Sequence, residues 1–526
     1  MVISKEKLTE LLSAIQLVKI IDLKKHEGAD RLTIVQVQAK DGQHQIVTAA
    51  TNMNIGDIVA WLAPGNVVPG VLIFENNEIK LDARKMRGEM SEGMILAEDE
   101  FALSHDHEGI FIVTNDEARN SRPEDLIGKS ILDVLTDEQM KQIERNAGII
   151  EITPELQHRI DLIKSIAANG GELVGEDELP LVLTSGEELF TYDGFEPSGQ
   201  MHIAQGIIRA INANKMIEAG FHFKMWVADW FGYLNNKMGG DLDKIKKVGE
   251  YFIEIWRASG MDLNGVEFLW TSDFVGKREY WELVMKVAKS ATLNRILRTT
   301  EIMGRTESDD LTAAQILYPC MQTADIFGVM KCQVTQLGLD QRKVNMLARE
   351  IGPELGFWKP IVLSHSMLQG LGKPADKSED AQTRAISMKM SKSKPDTAIF
   401  MTDTLEDIER KINKAYCPEG EVEDNPILDY CKQIIFEAKY LKRKTPLLED
   451  DKFKVTREEK FGGNVEYSTY AELEQDYKDK KLFPLDLKVA VINYIDELVK
   501  PVRLHFETDE KAKAILEEVK SFSVTR

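Results

Sequence analysis

The chain is poor in cysteine, with only Cys320, Cys332, Cys417 and Cys431 in 526 residues. No two of them stand at the spacing of a zinc finger or a redox pair, so reduced structural thiols are expected and a disulfide scaffold is excluded. No apolar run approaches the length of a bilayer span, so no membrane segment is expected. The opening Met1-Val2-Ile3-Ser4-Lys5-Glu6-Lys7 has no apolar export core, which makes the cytoplasm the expected compartment. Positive charge is in deficit: 66 Lys and Arg stand against 87 Asp and Glu, a net charge of −21. This argues against indiscriminate polyanion binding, although a local basic patch can still hold a specific RNA. Internal repeats and low-complexity tracts are also lacking. What is present is a globular balance, 43 % hydrophobic and 29 % charged, over a length that suggests about three domains.

Residues 20 to 115 read as short strands, such as Arg31-Leu-Thr-Ile-Val-Gln-Val-Gln and Asp57-Ile-Val-Ala-Trp-Leu, separated by turn signals at Gly28, Asp41-Gly42, Asn54-Ile55-Gly56 and Pro64-Gly65. Such spacing suits a small all-β barrel. A charged, helical connector is expected from about Leu135 to Gly170. From Leu181 strands and helices alternate, with strands at 189–195, 223–228, 266–271, 332–337 and 360–364 and helices at 204–219, 242–258, 278–288 and 342–350. Repeated strand–helix units imply a parallel, doubly wound α/β sheet. After Ser393 the pattern is mostly helical. The division expected is 1–137, 138–402 and 403–526.

Two short motifs flank the α/β region. Glu196-Pro197-Ser198-Gly199 is a tight turn between a strand and a helix, and His202-Ile203-Ala204-Gln205 lies at that helix's start, where unpaired N–H groups and the dipole favour phosphate. Near the other end, Lys389-Met390-Ser391-Lys392-Ser393 gathers lysines and hydroxyls able to surround a polyphosphate leaving group. Taken singly, a solvated histidine and a solvated basic loop are plain alternatives. Tyr318, Gln322 and Asp325, spaced four and three apart, share one helix face, as they would in a ligand pocket or on an amphipathic surface helix. Gln341, just after a strand, could close the same pocket at the sheet's carboxyl edge.

The paired motifs resemble those of class I aminoacyl-tRNA synthetases. From about Thr153 to Leu504 the chain is similar to the tyrosyl-tRNA synthetases of the archaeal and eukaryotic type. The phrases that carry this are Tyr192-Asp-Gly194-Phe-Glu-Pro-Ser-Gly, Tyr318-Pro-Cys-Met-Gln322-Thr-Ala-Asp325, Gly338-Leu-Asp340-Gln341-Arg-Lys343, Ala415-Tyr-Cys-Pro, Lys460-Phe-Gly-Gly and Pro484-Leu-Asp-Leu-Lys488. One departure stands out: the family's His-Ile-Gly-His is His202-Ile-Ala204-Gln205 here, and glutamine can donate to phosphate but carries no charge. The resemblance implies a Rossmann-type catalytic domain and a mostly helical anticodon-binding domain.

It further implies that tyrosine is activated with ATP, with Mg²⁺ on the phosphates, and loaded onto tRNA(Tyr). On that basis Tyr192 and Asp325 would hold the phenol hydroxyl, and Tyr318, Gln322 and Gln341 the α-amino end. His202, Gln205 and Gly194 would serve the phosphate side, Gly338 and Asp340 the ribose, and Lys389 and Lys392, with Met390, Ser391 and Ser393, the departing pyrophosphate. The helical stretch from Leu293 would form a homodimer contact and send Arg298 to the acceptor stem. Phe461 and Asp486 would take the first anticodon base. Residues 8 to 134 resemble in turn the OB-fold tRNA-binding domain attached to several synthetases, through Lys25-His-Glu-Gly-Ala-Asp-Arg-Leu, Lys85-Met-Arg87-Gly88 and Ser91-Glu-Gly-Met94. Arg84, Lys85 and Arg87 are its candidate phosphate contacts. The competing readings are a tryptophanyl enzyme of the same fold and a non-catalytic RNA-binding protein. Amino-acid-dependent ATP–pyrophosphate exchange separates them.

Overall fold

The computed structural model describes residues 4–114, 121–303, 310–374, 395–443 and 452–522. The chain forms two compact units, Met1–Ile152 and Thr153–Arg526.

In the first unit the strands are β1 (Ile15–Lys25), β2 (Thr33–Gln38), β3 (Gln43–Thr48), β4 (Ile58–Leu62), β5 (Arg84–Met86), β6 (Glu89–Ser91) and β7 (Met94–Ile95). Five of them make an antiparallel sheet in the order β3-β2-β1-β4-β7. The Glu92 N–H donates to the Gln45 carbonyl at 2.8 Å and the Val47 N–H to Ser91 Oγ at 3.1 Å, which draws the two edges together into a nearly closed barrel. Side chains alternate across a strand. Val59 and Trp61 therefore pack with Val18, Ile20, Val35, Val37 and Ile46 on one side of β4. Ile58, Ala60 and Leu62 pack on the other with Leu8, Leu11 and Leu12 from the helix Lys5–Ser13. Covering both faces leaves every residue of β4 buried. Each fully buried leucine contributes roughly 1.5–3 kcal/mol.

The expected charged connector is two helices. Asp137–Asn146 begins with a capping box of Thr136 and Gln139 and sends Ile143 into the first unit's core. Pro154–Ala167, capped by Thr153 with proline at its start, belongs to the second unit.

The second unit is built on β8 (Glu172–Val174), β9 (Phe190–Phe195), β10 (His222–Val227), β11 (Val266–Trp270), β12 (Val334–Gly338) and β13 (Ile361–His365). Their order is β11-β10-β9-β12-β13-β8. All neighbours are parallel except β13 and β8. The chain winds outward from β9 to β11 and then returns to the other side for β12, so the switch point lies between β9 and β12. These two strands pair only at Thr191–Val334 and Tyr192–Thr335, and their carboxyl ends run on unpaired with each other. Such a point is where open α/β sheets leave a crevice for ligand. The helix Ala313–Asp325, capped by Thr312, is buried at every position from Tyr318 to Asp325, so it is a core helix and not an amphipathic surface one. The carboxyl region carries the helices Leu405–Lys414, Tyr470–Lys478, Pro484–Thr508 and Glu510–Ser521. The hairpin β14 (Phe453–Val455) and β15 (Val465–Tyr467) interrupts them, and its strands are too short for their alternation, Phe-Lys-Val and Val-Glu-Tyr, to announce it. Among the described residues no helix is long and apolar enough to cross a membrane.

Candidate active site

A cavity of about 230 Å³ opens at the switch point. Its walls come from the carboxyl ends of β9, β10, β12 and β13 and from the turn and helix that follow β9. Of the sequence-derived site residues it brings together Tyr192, Gly194, His202, Gln205, Tyr318, Gln322, Gly338, Asp340 and Gln341. Gly194 packs closely on the neighbouring strand, since a Cβ there would stand 3.0 Å from Trp226 Cβ and force it to give way.

One end of the cavity is organised around a carboxylate. The Tyr318 hydroxyl donates to Glu196 Oε1 at 2.7 Å, and Asn235 Nδ2 reaches both Glu196 oxygens at 3.1 Å. Lys237 Nζ lies 3.5 Å from Glu196 Oε2. Burial, and then Glu196, push the Tyr318 phenol well above its ordinary value, so it stays a donor. Beside it Gln322 Nε2 donates to Gln341 Oε1 at 3.2 Å, and Gln341 Nε2 donates to the Ile302 carbonyl at 3.1 Å. These bonds fix both amides before any ligand arrives. Asp325 does not line the cavity. It is fully buried close to Tyr192 and Tyr280, and neither of its oxygens closes a hydrogen bond of ordinary geometry. Burial lifts its carboxyl well above the usual range, and the neighbouring Tyr280 hydroxyl opposes that shift only in part. The buried Tyr192 and Tyr280 hydroxyls likewise close no hydrogen bond of ordinary geometry.

The other end is electrostatically tighter. Arg209 Nε stands 2.6 Å from Asp193 Oδ2, both groups buried, and the guanidinium lies over the Phe195 ring. The Gly194 N–H donates to Asp193 Oδ1 at 2.8 Å. Even so, burial raises the Asp193 carboxyl to about 6, because desolvation outweighs the attraction of Arg209. His365, at the end of β13, shares a 2.7 Å hydrogen bond between its Nδ1 and the Gln336 amide. Burial and then Arg209 hold its pKa well below the usual imidazole value, so the ring is neutral.

The first motif is clamped from the far side of the sequence. The Ile203 N–H donates to the Ile399 carbonyl at 2.8 Å, and the Met401 N–H to the Met201 carbonyl at 2.9 Å. Gly206 is the close-approach point, since a Cβ there would lie 2.4 Å from Met401 Sδ. Trp256 Nε1 donates to the Gln205 carbonyl at 2.9 Å, while Gln205 Oε1 is buried without a partner. Lys389, Met390, Ser391, Lys392 and Ser393 lie outside the described residues. The described chain on either side of them is joined: the Leu371 N–H donates to the Thr397 carbonyl at 3.0 Å.

The candidate RNA contacts are dispersed. Arg298 is exposed near the end of the helix Leu293–Leu297, whereas its neighbour Arg295 is engaged by Glu350 at 2.9 Å. Phe461 is 54 % exposed, and Asp486 sits in the first turn of Pro484–Thr508. In the first unit Arg84, Lys85 and Arg87 project from the β5–β6 hairpin. Its two-residue turn needs positive φ at both positions, and Arg87 (52°) and Gly88 (104°) supply it. The unit carries 16 Lys and Arg against 26 Asp and Glu, so this basic hairpin stands on an acidic body.

Glu196, Asn235, Asp193, Arg209 and His365 join the site without having been singled out from the sequence. Only Glu196 and Asp193 lie inside one of the recognised motifs, and a lone histidine after a strand carries no signal by itself.

Fold and crevice together define a class I tRNA synthetase catalytic domain. The family of class I tRNA synthetases (W and Y) matches residues 184–500, and a family of tRNA binding domains matches residues 15–122. The chain is 47 % identical to the cytoplasmic tyrosine–tRNA ligase 1 of Arabidopsis thaliana, covering 73 % of this chain and 94 % of that one. It is 38 % identical to the tyrosine–tRNA ligase of Thermococcus kodakarensis, over 70 % and 99 % of the two chains. The crystal structure of tyrosyl-tRNA synthetase complexed with L-tyrosine from Pyrococcus horikoshii superposes with a TM-score of 0.63 at 34 % identity, covering 71 % of this chain and all of that one. The chain belongs to the tyrosine–tRNA ligase family, enzymes that activate tyrosine and charge tRNA with it.

Proposed function

We propose that the crevice takes L-tyrosine with its ring toward Tyr192 and Asp325 and its ammonium toward Glu196, Tyr318, Gln322 and Gln341. ATP lies with its ribose at Gly338 and Asp340 and its phosphates toward Gly194, His202 and Gln205. A tyrosine carboxylate oxygen attacks the α-phosphorus in line. The bond to the β-phosphate oxygen breaks, and pyrophosphate leaves with Lys389 and Lys392 neutralising its charge, aided by Met390, Ser391 and Ser393 of the same motif. A terminal ribose hydroxyl of tRNA then attacks the tyrosyl carbonyl carbon, and AMP departs. No protein nucleophile takes part; the enzyme aligns the groups and stabilises developing charge. Mg²⁺ arrives on the ATP phosphates as part of the substrate.

The observation that carries this reading is the convergence of Tyr192, Tyr318, Gln322 and Gln341 in one cavity, with Asp325 buried next to Tyr192. A hydroxyl that donates to Asp325 and accepts from Tyr192 answers groups that otherwise stay unsatisfied. The labour divides among residues 1–137, which bind tRNA through Arg84, Lys85 and Arg87, residues 138–402, which carry the chemistry, and residues 403–526, where Phe461 and Asp486 receive the anticodon. Arg298 serves the acceptor stem. A homodimer is supported by the exposed Trp281 and Met285, one turn apart on Arg278–Ser290, and by Leu293, 60 % exposed. The cytoplasmic relative supports the cytoplasm as the compartment. Amino-acid-dependent ATP–pyrophosphate exchange tests the reading. Exchange is expected with tyrosine; exchange driven by tryptophan and not by tyrosine overturns the substrate assignment.

A further inference from the structure

His365 is 3 % exposed, yet it borders the cavity, and its Nε2 is buried without a hydrogen-bond partner. Its other nitrogen is consumed by the Gln336 amide at 2.7 Å, itself fully buried. Whichever tautomer the pair adopts, Nε2 is the atom left over. A buried polar atom without a partner is costly, and such atoms are retained where a ligand completes them.

The neighbours of Nε2 on the cavity wall can be located. Gly338, at the end of β12, has no Cβ, and the point where one would stand is 2.6 Å from Asp340 Oδ1 and 3.4 Å from His365 Nε2. Two polar atoms from different elements, the turn after β12 and the end of β13, thus stand beside Gly338 on the cavity wall, with Met367 Sδ 3.1 Å from the same point. The vicinal diol of a ribose offers two adjacent hydroxyls, each both donor and acceptor, and so satisfies a carboxylate together with an imidazole nitrogen of either tautomer. Because the ring is kept neutral, this interaction does not switch with pH near neutrality.

We propose that His365 Nε2 hydrogen-bonds a ribose hydroxyl of ATP alongside Asp340, making it a specificity residue for the ribonucleotide. The inference rests on the reading of the crevice as the ATP site.

The experiment compares ATP with 2′-deoxyATP and 3′-deoxyATP in tyrosine-dependent pyrophosphate exchange, for the parent, His365→Asn and His365→Gln. Asparagine keeps an amide in reach of Gln336 but ends short of the Nε2 position. Glutamine extends to it. His365→Asn is expected to lower kcat/KM for ATP about tenfold, the scale of one neutral hydrogen bond. It should also shrink the discrimination against one of the two deoxynucleotides by the same factor. Tyrosine affinity measured without ATP should stay within about twofold of the parent. His365→Gln is expected to recover part of the lost discrimination, which a purely structural role would not predict. A folded His365→Asn with unchanged ratios against both deoxynucleotides overturns the proposal. If that variant does not fold, histidine-ring ¹⁵N resonances of the parent decide, with His365 assigned by its loss in His365→Gln. ATP must then shift Nε2 more than one of the deoxynucleotides does, and equal shifts overturn the proposal. A parent with no tyrosine-dependent exchange removes the reading of the crevice itself, whereas normal exchange with unaltered ratios removes only the role of His365.

Discussion

The Tyr318 hydroxyl donates to Glu196 Oε1 at 2.7 Å, joining a core helix to the turn after β9. The carboxylate also receives Asn235 and faces Lys237, so it is oriented before an ammonium arrives. Glu196→Gln keeps the shape and most of the hydrogen bonds but removes the charge. It should raise the KM for tyrosine by roughly ten- to a hundredfold, since a hydrogen bond to a charged group is worth about 1.5–3 kcal/mol. The KM for ATP should change far less. Steady-state exchange kinetics with each substrate varied check this, and equal effects on both would remove Glu196 from the ammonium site.

The Asp193–Arg209 pair is a second, buried relationship with a pH signature. The Asp193 carboxyl is raised to about 6, above its unfolded value of 3.8. The folded state therefore binds this proton more tightly. Its stabilising contribution is complete below about 4 and is lost as the pH rises through 6. Asp193→Asn should flatten the stability profile between those limits. Arg209→Met leaves a buried carboxylate alone and should cost about 3–5 kcal/mol, most of it recovered in the double variant Asp193→Asn/Arg209→Met. Chemical denaturation at pH 5 and pH 7 reads both effects.

Much of this frame is legible in the sequence because periodicity reports burial. Leu242–Ala258 coincides with its expected limits, and the parallel strands fall within about two residues of theirs. β8 escapes a sequence reading: three residues long, paired on one edge only and antiparallel, it leaves almost no pattern. β1 begins earlier than expected, since Ile15-Gln-Leu-Val follows almost directly on the helix Lys5–Ser13. The cavity wall is legible where a motif has fixed spacing, as in Tyr318 and Gln322, whereas Asp325 of the same motif is buried off the cavity. Arg209 and His365 matter through convergence of separate elements, which no local window contains.

The basic hairpin predicts a salt effect. Arg84, Lys85 and Arg87 are exposed on a unit whose net charge is −10, so phosphate binding is expected to concentrate there. Replacing all three with alanine should leave tyrosine activation unchanged and weaken tRNA binding. The log–log salt slope should become shallower by about 0.7–0.9 for each phosphate no longer neutralised. Filter binding across a salt series measures it; an unaltered slope would sink the assignment.

Lys389→Ala and Lys392→Ala should each slow adenylate formation on the order of 10²-fold, the scale of losing one positioned group that stabilises transition-state charge. Tyrosine binding should be nearly unchanged, because in the proposed mechanism these charges act on the leaving pyrophosphate and not on the ground state. Single-turnover kinetics paired with equilibrium tyrosine binding distinguishes the two. Matching losses in both would mean that the lysines support the pocket and not the transition state.

Asp325 sets stability against function. Its carboxyl is fully buried, pairs with no cation among the described residues and is raised well above the ordinary value of 3.8. A raised folded pKa means stability that is present below the unfolded value and lost as the pH rises through the folded one. At neutral pH the resting enzyme therefore holds an unfavourable group, which a tyrosine hydroxyl can satisfy and a phenylalanine ring cannot. Asp325→Asn keeps the volume and removes the ionisation. It should stabilise the ligand-free protein by roughly 1–3 kcal/mol, the scale of an unsatisfied buried polar group. The melting temperature at pH 7 should rise by a few degrees, and the difference should vanish toward acid pH. The same substitution should lower kcat/KM for tyrosine about ten- to a hundredfold, the worth of a hydrogen bond to a charged acceptor, while leaving that for phenylalanine nearly unmoved. The two measurements belong together. A variant that melts higher and loses its preference for tyrosine identifies Asp325 as the reader of the hydroxyl. One that keeps the preference shows that the hydroxyl is read elsewhere, whatever its melting temperature.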